Sequence, residues 1–419
     1  MKKPAKSKVV VLAQVCKLIP GGLVPKLARK HGIDKQARSF SPWSHVVALL
    51  YAQLTHAFGL NDVCDSLRIH SRQLGAVRAA TPPARNTLSH ANKTRNSDFM
   101  EELFWKTLRY LEGQPPGFGL QYKGVPRRFK SAIHAVDSST IALVANCMDW
   151  AKHRRRKAAA KLHLRLDLRL DLQTFLPGYA IIEEASHHDD TRAPTLCANL
   201  KSGEIALFDK AYINFGHLFD LQQRAVFWVT RAKDNMAYRV RKKLQKKPKA
   251  GSKIIRDDLI ILTTAKSKEH YPEKLRRVEM LVEVDGKEVV MAFITNNLKW
   301  AASSVGELYQ ARWGIEVFFK QLKQTLKACD FLGHSKHAIR WQLWSALLLY
   351  ILLRYQSQLV GWNHSFIRLF AMIREVTWSQ VDLDTLLRSY GTAGGRYRYR
   401  ARPETPYLPG LKPLSHGTA

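Results

Sequence analysis

Three acidic residues, far apart in a 419-residue chain, stand where carboxylates are unusual. Asp137 closes the apolar run SAIHAVD and is followed by Ser138, Ser139 and Thr140; Asp209 closes EIALFD and is followed by Lys210, Ala211 and Tyr212. A carboxylate at the end of a buried strand is costly unless a metal ion or a basic partner compensates it. The third acid, Glu316, lies in SVGELYQARWGIEVFFKQLK, where Tyr309, Arg312, Glu316, Lys320, Lys323 and Lys327 recur at spacings of 3, 4, 4, 3 and 4. Those spacings put them on one face of a helix. Taken alone, the stripe describes an exposed helix laced with Glu–Lys pairs. Two strand-end aspartates joined by a glutamate on a helix packed across the same sheet would instead form an oxygen-only site suited to Mg²⁺ or Mn²⁺.

The elements that must position these residues are legible in the hydrophobic pattern. Residues 1–125 read as helical, with segments near Ser44–Ala57, Leu60–Leu67, Leu88–Lys93 and Phe99–Leu111 between Pro and Gly clusters. PPARNTLSHANKTR resembles the second half of a helix-turn-helix, and a solvated helix of an ordinary bundle fits it as well. From Arg128 the pattern turns to strands: SAIHAVD, the alternating KLHLRLDLRLDLQ, GYAIIEE, EIALFD and, after a helix over Asn214–Arg224, AVFWVT. Residues 236–299 read as a β-rich insertion carrying LIILTT, RRVEMLVEV, a turn at Asp285-Gly286 and EVVMAFIT. Helical periodicity returns from Ser304 to Ala328, with Ser304 and Glu307 spaced as a capping box, and again through 338–360. Strands alternating with helices predict an α/β layer structure behind an all-α N-terminal domain. The expected segments are 1–125, 126–235, 236–299, 300–375 and a basic tail, 376–419.

Charge narrows the partner. Lys and Arg number 67 against 34 Asp and Glu, a net +33, and Arg239–Arg256 holds nine basic residues and no acid. Such a surplus favours a polyanion, since each neutralised phosphate releases condensed counterions. The five cysteines, Cys16, Cys64, Cys147, Cys197 and Cys329, are scattered and form no CxxC pair, which reads as a reduced, cytoplasmic protein. Neither the N-terminus nor the apolar run Leu343–Leu353 reads as a signal peptide or a membrane span. His187, His188, Asp189 and Asp190 read as a loop or helix start, His134 as a core histidine, and the RRRK run at 154–157 as a solvated loop.

Strand-end Asp, strand-end Asp and a helix bearing Tyr-x2-Arg-x3-Glu-x6-Lys resemble the DDE transposases of the insertion-sequence-four type; here the signature is Tyr309, Arg312, Glu316 and Lys323. The resemblance covers roughly 128–360. It implies an RNase H-like catalytic core interrupted by the β-rich insertion, with two divalent ions on Asp137, Asp209 and Glu316. It also implies phosphate contacts from Tyr309, Arg312 and Lys323, to which Lys320, Trp313 and Arg231 are added. The implied reaction is excision of a bacterial element at its terminal inverted repeats and insertion of its 3′ ends into target DNA. Pairing two ends implies a homodimer on double-stranded DNA near the nucleoid. A resolvase-type nuclease would share the metal site and cut without joining; a DNA-binding derivative without activity would have lost an acid, and all three are present.

Overall fold

A computed structural model describes residues 4–390 except 36, 38, 116, 119–128, 130, 144–146, 148–151, 155–156, 168–175, 186–188, 246–251, 285–286 and 328–330. The expected Asp285-Gly286 turn, His187, His188, Cys329 and the tail beyond 390 lie outside the described residues. The described chain forms two compact units, one drawn from 1–118, 141–159 and 319–390, the other from 119–140 and 160–318.

The first unit begins with seven helices: α1 (Val11–Lys17), α2 (Leu23–Lys30), α3 (Pro42–Thr55), α4 (Leu60–Ile69), α5 (Ser71–Gly75), α6 (Arg85–Thr94) and α7 (Asp98–Glu112). α3 starts where Pro42 presets the backbone and Ser41 Oγ accepts from the Ser44 amide at 3.0 Å; it stops where His56 adopts φ 57°. Inside this unit His45 is fully buried, stacked on Trp341 with ring centroids 4.1 Å apart, and its Nε2 lies 2.8 Å from Asn92 Oδ1. Its Nδ1 is buried with no hydrogen-bond partner, and burial pulls the imidazole down to about 3. Unfolding lets that ring take up a proton near pH 6.5, so the unfolded chain binds more protons between those values and stability falls as pH falls. The unfolding free energy from urea titration should therefore drop on going from pH 6.5 to 5, by roughly 1.5–2 kcal/mol for this one group. His45→Gln should flatten that slope; an unchanged acid limb would show that another group governs it.

The second unit is built on a sheet. Its strands are β1 (Ile133–Leu143), then, past the short β2 (Lys152–Arg154), β3 (Lys157–Asp167), β4 (Leu176–Glu184), β5 (Ile205–Phe208), β6 (Phe227–Arg231), β7 (Tyr238–Lys243), β8 (Ile254–Leu262), β9 (Leu275–Val284) and β10 (Lys287–Thr295). Between them run α8 (Asp189–Cys197), α9 (Phe215–Gln223) and α10 (Ala265–His270). The order across the sheet is β3-β1-β5-β6-β10-β9-β8-β7, with β4 beside β3. β1, β5 and β6 are parallel, and β6 passes to antiparallel β10 through Thr230↔Ile294. The strands of 236–299 thus continue the central sheet. Parallel strands need both faces covered, and β5 is apolar and buried along its whole length. On one face Trp228, Phe208, Tyr212, Tyr271, Leu218 and Leu221 pack together, and the Trp228 indole N–H donates to Leu218 O at 3.0 Å. The structure is a mixed α/β RNase H-like core with a helical N-terminal region.

Two helices carry the signature stretch, α11 (Ala302–Ala311) and α12 (Gly314–Lys320), followed by a π-helical turn over Gln321–Thr325. The single helix expected from Ser304 to Ala328 is thus broken. At Arg312 and Trp313 the amides bond three residues back, to Tyr309 O and Gln310 O, and Gly314 is a poor helix former. The expected capping box is absent as well: Ala301 is the N-cap and no side chain caps it. In the first unit the chain continues through α13 (Lys336–Val360), α14 (Phe366–Glu375) and α15 (Leu383–Ser389). α13 is buried almost all round, and among the described residues no helix is long and apolar enough to cross a membrane.

Candidate active site

The two aspartates are brought together by strand register. β1 and β5 pair in parallel through Ile133↔Ile205 up to Val136↔Phe208, so Asp137 and Asp209 are the next residues on adjacent strands. β1 does not end at Asp137, as the sequence suggests; it runs on to Leu143, but its pairing with β5 stops at Val136. β5 ends at Phe208, and Asp209 leads into a single 3₁₀ turn over Lys210–Tyr212. The carboxylates therefore emerge side by side where the parallel pairing of β1 and β5 stops, toward the carboxyl edge of the sheet, where open α/β sheets bind ligands.

α11 lies across β5, β6 and β10 and supplies the rest. Tyr309 is buried against Phe293 of β10, ring centroids 4.7 Å apart, and its hydroxyl donates to Asp209 Oδ1 at 3.3 Å. Burial pushes this phenol up to about 12, so it stays a neutral donor. Arg231, at the end of β6, is close enough to act on the same hydroxyl electrostatically. Arg312 follows in the break between the helices. Its Nη1 donates to Asp137 Oδ2 at 3.0 Å, its Nη2 to Glu316 Oε1 at 2.8 Å, and its guanidinium carbon stands 5.2 Å from the Tyr309 ring. It is 5% exposed. The Arg312–Glu316 contact is the four-residue spacing read from the sequence; the Arg312–Asp137 contact spans 175 residues and no local signal announces it.

The electrostatics agree with a cluster of like charges held by one cation. Burial pushes the Asp137 carboxyl up to about 6; Arg312 and the Ser138 amide, which donates to Oδ1 at 2.8 Å, oppose this, while Asp209 and Glu316 add to it. Asp137 thus senses both other acids. Among the described residues no three His, Cys, Asp or Glu side chains stand close enough to hold one ion jointly. Asp137 and Glu316 are bridged by the Arg312 guanidinium, and Asp209 lies within electrostatic reach of that cation. The donors are all hard oxygens, so the set suits a hard divalent cation and lacks the sulfur and imidazole that select zinc or copper.

The remaining expected residues fall as follows. Trp313 is buried, at 5% exposure, like its neighbour Arg312. Lys320 is exposed at the end of α12 and Lys323 is partly exposed in the π-helical turn, both in the first unit. His134 is buried, its Nε2 3.4 Å from Glu204 Oε2. Asp189 and Asp190 start α8, the helix-start alternative of the two that their sequence allows. The Trp300 indole packs edge-on to Phe227 and Phe129 at centroid distances of 5.3 and 5.6 Å.

Comparison with known proteins follows the same lines. The model of a transposase DDE domain matches residues 128–352, more than half of the chain and all three acids, and a domain of unknown function, DUF4372, matches residues 7–76. The chain is 27% identical to the "Putative transposase y4zB" of Sinorhizobium fredii over 77% of its own length and 85% of that protein's. It is 26% identical to the "Probable transposase for insertion sequence element IS5377" of Geobacillus stearothermophilus, over 61% of this chain and 65% of that one. With the "Transposase InsG for insertion sequence element IS4" of Escherichia coli it shares 23% identity over 46% of its length and 44% of the relative's. The chain belongs to the DDE transposases of the insertion-sequence-four type, metal-dependent enzymes of DNA transposition.

Proposed function

We propose that Asp137, Asp209 and Glu316 are the ligands of two divalent cations, Mg²⁺ or Mn²⁺, with which this transposase cuts DNA at the ends of its element and joins the 3′ ends to target DNA. The observation that supports this reading is the bridge that the buried Arg312 guanidinium makes between Asp137 and Glu316, with Asp209 within electrostatic reach of Arg312 and Asp137. Cations held by these three carboxylates would supply activation of an attacking oxygen and charge stabilisation of a departing one. The chain's own residues position the rest. The parallel pair β1–β5 fixes Asp137 and Asp209, and the Tyr309 hydroxyl orients Asp209. Arg312, with its planar fork, suits two phosphate oxygens, while Lys320, Lys323 and Arg231 serve as point charges or further forks along the backbone.

Residues 1–125 form the DNA-binding domain in this reading, 126–235 and 300–375 the catalytic core, 236–299 its β-rich insertion and 376–419 a basic tail. On α6 the side chains of Arg85, Asn86, Ser89, His90 and Lys93 are exposed and include no acid, which suits a helix facing a DNA groove. β7 adds exposed Arg239, Arg241, Lys242 and Lys243. The protein acts in the cytoplasm as a homodimer when two ends are paired.

Two measurements test this. A plasmid carrying the coding region with its flanking inverted repeats, incubated with the protein and Mg²⁺, should yield the excised element and target molecules joined to its 3′ ends. Cutting without joining would identify a resolvase-type nuclease instead. Affinity for a fragment carrying one repeat should fall steeply with salt, by a factor on the order of 10³ or more between 50 and 200 mM for six or more phosphate contacts. A flat response would remove the basic surface as the DNA track.

A further inference from the structure

Arg312 is placed unlike a residue that merely waits for phosphate. Its two terminal nitrogens are spent on Asp137 Oδ2 and Glu316 Oε1, at 3.0 and 2.8 Å, and it lies within the electrostatic reach of Asp209. The guanidinium thus cancels part of a triple negative charge that would otherwise repel itself inside the fold. The docking is also imperfect. Arg312 Nε is buried without a hydrogen-bond partner, a cost that weakens the hold of the docked position. The residue sits in the non-helical step between α11 and α12, where amides bond three residues back and the backbone is less tightly laddered than within either helix. In this same position the guanidinium carbon stands 5.2 Å from the Tyr309 ring, which also attracts the cation.

From these contacts we infer that Arg312 is a built-in counter-cation that competes with divalent ions for Asp137 and Glu316, and that ion loading expels its guanidinium from those oxygens. This rests on the reading of the three acids as metal ligands. The physical reason is simple: the oxygens that would face a divalent ion are the ones the guanidinium holds, and two cations against the same oxygens repel each other. Without a divalent ion the arginine keeps the acids assembled. With one, the displaced fork becomes available to a phosphate beside the site. Ion loading and release of a phosphate-binding group are then a single exchange, so the two are thermodynamically linked.

The test needs neither DNA nor turnover. Binding of Mn²⁺ to the full chain is measured from the electron paramagnetic resonance signal of the unbound aqueous ion, alongside the thermal transition with a chelator and with Mn²⁺. Arg312→Gln should bind Mn²⁺ more tightly than the parent, roughly tenfold. It should melt below the parent in chelator and recover on adding the ion, because an ion now does what the arginine did. Equal or weaker Mn²⁺ binding by the variant would overturn the proposal. Should Arg312→Gln fail to fold, Arg312→Lys decides: a single ammonium cannot bridge both acids, so tighter binding than the parent supports competition and equal or weaker binding refutes it. Asp137→Asn separates the two readings. If it binds Mn²⁺ as the parent does, the acids are not the ion's ligands and the underlying site assignment falls; if it loses binding while Arg312→Gln shows no gain, only the competition is wrong.

Discussion

Glu316→Gln should lower Mg²⁺-dependent cleavage of a repeat-bearing duplex by about a thousandfold or more, as loss of a member of a catalytic set does, while changing duplex affinity little. The substitution is nearly isosteric, and the amide oxygen can still accept from Arg312 Nη2, which lies 2.8 Å from the present carboxylate oxygen. What disappears is one negative charge close enough to act on Asp137. Binding to DNA draws on many basic side chains spread over the chain, so it survives the loss of one acid. Cleavage at the parent rate would take Glu316 out of the mechanism. Parallel loss of cleavage and of DNA affinity would point to an unfolded catalytic unit, which circular dichroism would report.

The second large effect concerns stability. Arg276 of β9 and Asp257 of β8 are 5% and 9% exposed at their side chains and meet in a two-pronged pair, Nε to Oδ1 at 2.7 Å and Nη2 to Oδ2 at 2.7 Å. Arg276 Nη1 also donates to the Trp300 carbonyl, tying the strand to the loop that leads into α11. Arg276→Met removes the cation and leaves a buried carboxylate with no counter-charge, a loss of about 3–5 kcal/mol. Replacing both partners, Arg276→Met with Asp257→Leu, should recover much of it, since a buried pair is often no better than apolar residues of similar volume. Urea unfolding of the two variants and the parent gives the comparison. A single variant within about 0.5 kcal/mol of the parent, the range of ordinary surface changes, would show that water reaches Asp257.

The sheet's contribution to the site was readable in the sequence because burial imposes a local pattern. SAIHAVD and EIALFD are apolar runs, each with an acid where the run stops, and the structure pairs them in register so that the acids come out side by side. The alternating run from Lys161 and the apolar AVFWVT likewise became β3 and β6. The helix could be read in composition but not in shape. The three–four spacing from Tyr309 to Lys323 suits an unbroken helix, and local propensity gives no warning beyond Gly314 that the chain will step at Arg312. That step accompanies a contact with Asp137, and an attraction between residues 175 apart leaves no periodic trace. The same holds for Arg276 and Asp257, whose charges in RDDL and KLRR look like solvated ones until two strands enclose them. The union of β6 with β10 was hidden for a related reason, since pairing partners outside a hairpin are set by the whole sheet.

The central claim, that these acids hold the catalytic cations, is tested most directly by changing one donor from oxygen to sulfur. Asp137→Cys places a soft thiolate where Mg²⁺ accepts only hard oxygens, whereas Mn²⁺ tolerates it better. Cleavage of the repeat-bearing duplex should be lost in Mg²⁺ and return in Mn²⁺, with the parent active in both. Parent-level cleavage by Asp137→Cys in Mg²⁺ would contradict the account, because Asp137 would then not be a ligand of the ion that drives the reaction.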